Sequence, residues 1–257
     1  MDKASIGGAF LAVAGIIAGL LIEGGSVRQI LQPTAALVVF GGTIGAVLLQ
    51  FPLSTVLAAF RSLVHIFAAQ HKQEAQLIAE LVAFANKARR KGVVSLDEDL
   101  KRIQDPFLKQ TLMLAVDGTE PADLRKIMHV NLDSITEDEE RLPAVFESAG
   151  GFSPTIGILG AVLGLIQVMQ HLEDIQAVGR GIAVAFVATI YGVGVANLFL
   201  LPIAGKMRLR IRNGHRRREM VLEGVISILE GMNPRMLEIK LTGFLEDWAR
   251  EQKERAA

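Results

Sequence analysis

The stretch from residue 150 to residue 169 reads GGFSPTIGILGAVLGLIQVM. It carries no charged side chain, and a helix of about 20 residues crosses a hydrocarbon core of about 30 Å. It also contains Pro154 and the small residues Gly157, Gly160, Ala161 and Gly164. Proline removes a backbone hydrogen bond and glycine costs roughly 1 kcal/mol relative to alanine, so this composition needs neighbouring helices to offset it. We therefore predict an inward-facing helix of an assembled membrane protein.

The composition indicates a membrane protein with a polar portion. The 257 residues are 51% hydrophobic, with 27 basic and 27 acidic side chains and a mean hydropathy of +0.38. The absence of cysteine excludes disulfides and thiolate metal sites. The five histidines lack close metal-ligand spacing, and no phosphate-binding or dinucleotide-binding glycine motif occurs. We therefore expect neither a metal nor a cofactor, and no enzyme activity.

Four uncharged stretches are long enough to span a bilayer as helices. They are residues 4–22, 33–51, 148–170 and 181–205. We interpret the first as a retained helix rather than a secretory signal, because no small-residue cleavage pattern follows it. GxxxG pairs in the first two stretches, Gly15 with Gly19 and Gly41 with Gly45, are typical of close helix approach, although glycines facing lipid by chance are an alternative.

The distribution of basic residues predicts the orientation. The short connectors 23–32 and 171–180 have no basic excess, whereas seven basic residues lie between 206 and 218. Because basic residues accumulate on the cytoplasmic side, both termini and segment 52–147 are predicted to be cytoplasmic, at a bacterial inner membrane. The basic run could also contact nucleic acid, but its position at a membrane exit favours lipid headgroups.

The segment 52–147 holds 12 basic and 15 acidic residues, and its apolar residues recur at helical spacing. Gly92 predicts a helix end, Ser95 followed by Glu98 a capping-box start, and Asp105-Pro106 a further start that runs to Gly118. A long helix is predicted to begin at Pro121. The fold class is therefore all-α, with the following predicted domains: spans one and two (1–51), a helical cytoplasmic insertion (52–147), spans three and four (148–205) and a basic helical tail (206–257).

Ion conduction through a helical bundle needs an ionisable group in the membrane, and the predicted spans contain no Asp, Glu, Lys, Arg or His. The third and fourth spans offer Pro154, Thr189 and Pro202 instead. Two interpretations stay open. In the first, the Thr189 hydroxyl only donates to the Ala185 carbonyl one turn back, and the prolines mark kinks or helix ends. In the second, the two helices line a slot that receives a carboxylate from another chain.

Four blocks of sequence resemble the MotA/PomA family of flagellar motor stator subunits. They are GGFSPTIGILGAVLGLIQVM, GIAVAFVATIYGVGVANLFLLPIAGKMR, NKARRKGVVSLDEDL and DPFLKQTLMLAVDGTEPADLRKIM. The resemblance runs through nearly all of the chain. It implies a ring of five subunits around two copies of a MotB-type single-span partner, whose transmembrane Asp binds the travelling ion. Ion flow then rotates the ring against the rotor protein FliG.

The resemblance also implies roles for individual residues. Pro154 and Pro202 match the family's two prolines that couple ion flow to shape change, and Thr189 matches the threonine near the ion-binding carboxylate. Ala161 stands where sodium-type members carry threonine, which favours H+ over Na+. In the cytoplasmic segment, Arg89 matches the family's rotor-contacting arginine, and Asp97 takes the place of its acidic counterpart, which is more often Glu. Because Arg90 and Glu98 adjoin these two residues, the resemblance leaves open which member of each pair makes the contact.

Three alternatives remain at the level of sequence. ExbB/TolQ proteins also wrap a carboxylate-bearing partner, but they usually have three spans, with the insertion after the first. A non-conducting membrane scaffold explains the glycines, but not the prolines and threonine of the later helices. An enzyme is the weakest alternative, because no nucleophile-base pair, metal cluster or phosphate loop is recognisable.

Overall fold

The computed structural model describes residues 3–66 and 74–245, with side chains described for 7–63 and 74–245. Every regular element in those ranges is helical, which confirms the all-α prediction. The helices are α1 (Lys3–Ile22), α2 (Val27–Ile30), α3 (Pro33–Gln50), α4 (Leu53–Ile66), α5 (Glu74–Lys91), α6 (Asp97–Leu100), α7 (Pro106–Val116), α8 (Pro121–Gln170), α9 (Ile175–Val195), α10 (Leu201–Leu229) and α11 (Pro234–Thr242). A 3-10 turn (Val93–Leu96) precedes α6, and a π turn (Ala196–Leu200) joins α9 to α10.

The chain divides into two compact units. The first unit comprises Met1–Ala69 and Glu139–Arg210, and the second comprises Gln70–Asp138 and Ile211–Ala257. The long helices α8 and α10 contribute residues to both. The four domains predicted from the sequence concern position relative to a membrane and stay a prediction. The last twelve residues of the predicted tail lie outside the described ranges.

Within the described residues, three helical segments are long and apolar enough to cross a membrane, as expected for a multi-pass membrane protein. They are Pro33–Gln50, Pro121–Gln170 and Ile175–Leu229. The last of these includes α9, the π turn and α10, so the helical pattern continues past the fourth predicted span as expected. The described side chains of α1 give a shorter apolar helix, Gly7–Ile22.

Local chemistry sets several helix boundaries in the second unit, as predicted. Gly92 and Gly118 end α5 and α7 with φ of +80° and +85°, a region that glycine enters without steric cost. Asp105 caps α7, because its Oδ1 accepts hydrogen bonds from the backbone N–H groups of Phe107 and Leu108 at 3.0 and 3.2 Å. Pro121 begins α8 as expected.

The capping box predicted at Ser95 is wrong. Ser95 lies inside the 3-10 turn, where its hydroxyl donates to the Gly92 carbonyl at 2.7 Å, and Leu96 occupies the N-cap of the four-residue helix α6. Leu96 is fully buried in the core of the second unit. Burial of this side chain in the tight turn therefore outweighs the local capping preference.

Each unit has its own apolar core. In the first unit, one cluster of buried residues joins α3, α4, α8 and α10; its members include Val47, Ala59, Val145, Phe146, Ala149, Ala204 and Met207. A second, smaller cluster joins α3 to α9 through Ala35, Val39, Val187 and Ala188. In the second unit, α5, α7, the start of α8, the end of α10 and α11 share one larger core. All four residues predicted to act in the membrane, Pro154, Ala161, Thr189 and Pro202, belong to the first unit.

Candidate functional site

Backbone atoms make the contact between α8 and α9. A Cβ added to Gly157 would lie 2.9 Å from the Ala188 carbonyl oxygen, and one added to Gly192 would lie 2.5 Å from the Ser153 carbonyl oxygen. A Cβ on Gly164 would likewise lie 2.9 Å from the carbonyl oxygen of Gly181. These positions have no room for a side chain. Gly157 and Gly164 of the 150–169 stretch, with Gly192 on α9, therefore allow two helices of one chain to pack closely.

The GxxxG pairs of the first two predicted spans make no such contact. A Cβ added to Gly15, Gly19, Gly41 or Gly45 would meet no atom within 4 Å in the described part of the chain. These glycines do not support close packing inside one subunit. The spacing that suggested close approach is therefore unused here, whereas Gly157, Gly164 and Gly192 carry the contact.

Three predicted site residues lie along the crossing of α8 and α9 in the first unit, with Pro154 and Ala161 two helical turns apart on α8. Pro154 follows Ser153, whose carbonyl faces Gly192, and Thr189 follows Ala188, whose carbonyl faces Gly157. Ala161 follows Gly160, where an added Cβ would lie 2.8 Å from the Cβ of Ala188. All three are half-buried rather than enclosed.

The fourth residue, Pro202, lies further along the helix pair. A Cβ on Gly150 would lie 2.7 Å from Cδ2 of Leu201, the neighbour of Pro202. Pro202 is exposed and is the second residue of α10, directly after the π turn. The helix distortion expected there is therefore a π turn.

Thr189 makes the contact that the simpler interpretation predicted. Its hydroxyl donates to the Ala185 carbonyl over 3.3 Å, which is long for an O–H···O hydrogen bond. A hydroxyl that donates one proton still has lone pairs for a cation or a second donor. The bond fixes the side chain without exhausting its bonding capacity.

Pro154 lies in the interior of α8, which continues to Gln170, so the helix-boundary interpretation is wrong for this residue. Because proline has no N–H, the Gly150 carbonyl one turn back receives no backbone bond from it. Pro143 also lies inside α8, a feature that we did not single out from the sequence.

Tyr191 is a residue of the first unit that sequence reasoning did not assign a role. Its hydroxyl donates to the Ile30 carbonyl at 2.5 Å and accepts from the Gln32 N–H at 3.3 Å, and its ring stacks on Phe40 with centroids 5.8 Å apart. It satisfies two backbone groups of the turn between α2 and α3. The one available signal was that it is the single tyrosine of the chain.

The predicted rotor-contact charges lie at the end of α5 and on α6, and their side chains are exposed. Lys87 donates to Asp99 at 2.7 Å and lies 3.5 Å from an oxygen of Glu98. The hydrogen bond to Asp99 raises the pKa of Lys87, since it stabilises the charged amine. Within the described residues, Arg89, Arg90 and Asp97 form no ion pair.

A second charged network lies in the second unit, where Glu223 of α10 accepts from Arg125 of α8 and from Lys240 of α11, the latter at 2.8 Å. Burial acts to raise the pKa of Glu223, but the hydrogen bonds from the two cations outweigh it and lower the pKa below its ordinary value. Burial, together with the nearby Asp105, raises the pKa of Glu80. The searched, described residues contain no group of three potential metal ligands.

The Glu223 network predicts a loss of stability in acid. A carboxyl group whose pKa is lowered by folding stabilises the protein above its unfolded pKa, near 4.5, and this contribution is lost as the pH falls through the folded value. We expect Glu223→Gln to lower the melting temperature of the full chain in detergent at pH 7, with a smaller effect at pH 4. Glu238→Gln, an exposed change on α11, is the control. An equal effect of Glu223→Gln at both pH values would contradict the assignment.

Comparisons with known proteins identify the family of this chain. Residues 99–220 match the model of the MotA/TolQ/ExbB proton channel family, and residues 6–92 match the model of the motility protein A N-terminal region. Motility protein A of Bacillus subtilis is 34% identical over 250 residues, which cover 95% of this chain and 91% of that protein. Chemotaxis protein PomA of Vibrio alginolyticus is 29% identical, with 97% and 98% of the two chains covered.

Solved structures give the same result. A chain of the flagellar MotAB stator complex from Bacillus subtilis matches with a TM-score of 0.90 and 32% identity, and the match covers 100% of both chains. A chain of C. jejuni MotAB also gives 0.90, at 30% identity over 96% of this chain and 97% of that chain.

The fold and the glycine-lined crossing define the class: a multi-pass, all-α membrane protein of the ion-channel and motor type rather than an enzyme. Within that class, the chain belongs to the motility protein A family of flagellar motor stator subunits. The sequence resemblance is confirmed, and it extends over nearly the whole length of the relatives.

Proposed function

We propose that this stator subunit forms an ion channel together with a MotB-type single-span partner, and that ion flux through the pair drives torque on the rotor protein FliG. One observation carries the proposal: the predicted spans contain no Asp, Glu, Lys, Arg or His. A conducting bundle needs an ionisable group, so a companion chain has to supply the carboxylate. Both structural neighbours are named as MotAB complexes, which supports such a companion.

The proposed arrangement in the membrane has four spans, with α1 as the first and both termini on the cytoplasmic side. The excess of basic residues after residue 205 supports this orientation. The subunits associate into a ring around the partner, with five copies by resemblance. The open faces at Gly15, Gly19, Gly41 and Gly45 leave room for helices of other chains.

Complementation in a stator-deficient bacterium tests the function. Co-expression of the chain with a MotB-type partner is expected to restore swimming, whereas either chain alone is expected to leave the cells non-motile. A partner whose transmembrane Asp is replaced by Asn is the matched control, because it keeps the complex and removes the ion-binding group. Swimming with the Asn partner would falsify the proposal that this carboxylate carries the ion.

Protons are the proposed coupling ion, since the methyl group of Ala161 offers no oxygen to a dehydrated sodium ion. Replacing sodium by potassium at constant pH is expected to leave the rotation speed unchanged, while a protonophore stops rotation. Arrested rotation in potassium would contradict the role given to Ala161 and indicate Na+ as the coupling ion.

The proposed rotor contact uses Arg89, Arg90 and Asp97, whose charges have no partner within the described chain, in preference to Glu98, which Lys87 approaches. Exposed ion pairs contribute only about 0 to 1 kcal/mol, which suits contacts that form and break repeatedly. We expect Asp97→Lys to reduce torque more than Glu98→Lys. Lys91→Glu reverses a charge at the end of α5, the helix that carries Arg89 and Arg90, and serves as the control. Equal losses at positions 97 and 98 would contradict the preference for Asp97.

A further inference from the structure

The fourth span is not one continuous α-helix. Between α9 and α10, the π turn of Ala196–Leu200 changes the backbone register, and the Leu201 N–H donates to the carbonyl of Ala196, five residues back. Such single π turns inside α-helices are frequently found at functional sites. This one lies between Thr189 and Pro202, the two residues of the fourth span that the proposed ion pathway uses.

The buried residues on either side of the π turn do not fit one helical period. Upstream, Gly181, Ala185, Ala188 and Gly192 follow one another at intervals of four, three and four residues, and all are buried. Downstream, the buried residues of α10 within the first unit are Ala204 and Met207. At about 100° per residue, an unbroken α-helix would place Ala204 about 120° and Met207 about 60° around the axis from Gly192. The wider π turn, which adds one residue, brings both sets to one face.

Packing holds the span on both sides of the turn. Upstream, the backbones of Gly192 and Gly157 approach closely and pack α9 against α8. Downstream, Ala204 and Met207 pack into the cluster that contains Phe146, and Arg208 binds Glu147 of α8 with a 2.8 Å hydrogen bond from Nη1 to Oε1. The π turn is the element between these two anchored sections.

Asn197 is the polar side chain within the π turn. Its Nδ2 donates to the Val193 carbonyl at 2.9 Å, at the point where the hydrogen-bond register changes. Asparagine competes with the backbone for such carbonyls, which favours a departure from regular α-helix. The amide therefore stabilises the π turn against reversion to the α register.

We propose that Asn197 is a positioning residue of the motor, which acts by holding the π turn and so sets the rotational phase between the Thr189 half and the Pro202 half of the fourth span. The inference rests on the proposed function, because the phase matters only if movement at the ion pathway has to reach the cytoplasmic half. Loss of the phase uncouples ion passage from torque without dismantling either anchored section.

Substitutions at position 197 test the role of the amide in cells that also make the MotB-type partner. Asn197→Leu keeps the approximate size and removes the donor, whereas Asn197→Ser replaces the amide donor with a hydroxyl that can donate to the same carbonyl. In a bead assay, the height of each speed step reports torque per stator and the number of steps reports assembly. We expect Asn197→Leu to lose most of its step height with an unchanged step number, and Asn197→Ser to retain it. Wild-type step height in Asn197→Leu would overturn the proposal.

Cysteine cross-linking tests the phase without relying on motor function. The chain has no natural cysteine, so Ala149→Cys with Ala204→Cys gives a specific pair across the downstream cluster. Val39→Cys with Val187→Cys is the upstream control. Asn197→Leu, which removes the amide that holds the π turn, is expected to abolish the downstream cross-link and keep the upstream one. Retention of both cross-links would overturn the inference even if the stator function itself holds. Failure of the unmodified chain to restore swimming would instead overturn the proposed function.

Discussion

Gly192→Ala is expected to destabilise the first unit severely, whereas Gly194→Ala, two residues further on, is expected to be neutral or slightly stabilising. The added Cβ at position 192 would lie 2.5 Å from the Ser153 carbonyl oxygen and 3.0 Å from the Gly157 Cα. Both neighbours are backbone atoms, so no rotamer change relieves the clash. The helices α8 and α9 have to separate.

The magnitude follows from overpacking. Inserting a methyl group into a packed core costs about 1 to 3 kcal/mol, and more where backbone has to move. At Gly194 a Cβ meets no atom within 4 Å in the described chain, and alanine gains roughly 1 kcal/mol of helix propensity over glycine. Thermal unfolding of the detergent-solubilised variants measures the difference. Equal melting temperatures would contradict the backbone contact between α8 and α9.

The glycines also show how far sequence could predict the packing. The 150–169 stretch was correctly recognised as a helix whose small residues face a neighbouring helix. The GxxxG pairs of the first two predicted spans were not informative inside the chain, because spacing along one helix does not reveal whether another helix lies opposite that face. Gly192 lacks a GxxxG partner of its own, and its importance depends on the position of the Ser153 carbonyl.

Helix boundaries were predictable where the cause is local. Gly92, Gly118 and Asp105-Pro106 act through their own φ angles and capping atoms, so their sequence signals were sufficient. Ser95 was mispredicted because the burial of Leu96 in the second core decides that turn. The π turn escaped prediction for a related reason, since it depends on keeping two sets of residues against α8.

The exposed charges at the end of α5 and on α6 show how far the candidate site could be predicted from the sequence. Candidates for both signs of charge are recognisable in the sequence, but the sequence does not decide between Asp97 and Glu98. The decision depends on Lys87, which reaches Glu98 and Asp99 only because the 3-10 turn folds α6 back toward α5. That turn depends in part on the buried Leu96, a contact that no local pattern reveals.

Thr189→Val and Pro154→Leu are each expected to abolish torque while the protein remains in the membrane at normal levels. Valine keeps the β-branched shape of threonine and removes only the hydroxyl, whose intrahelical bond to Ala185 is long at 3.3 Å. Helix α9 therefore loses little stability. What is lost is the oxygen that we propose lies near the partner's carboxylate.

Leucine at position 154 acts differently, because it restores an N–H that can bond to the Gly150 carbonyl and so regularises α8 at the level of the crossing.

The chain offers a matched control for each variant. Thr155→Val removes another hydroxyl that bonds only a backbone carbonyl, that of Phe152 at 2.8 Å, and Pro143→Leu removes another proline from the interior of the same helix. Swimming assays with quantified membrane levels separate loss of torque from loss of protein. Normal motility in both Thr189→Val and Pro154→Leu would mean that the two helices line no ion pathway. Equal losses in the control variants would mean that any disturbance of α8 stops the motor.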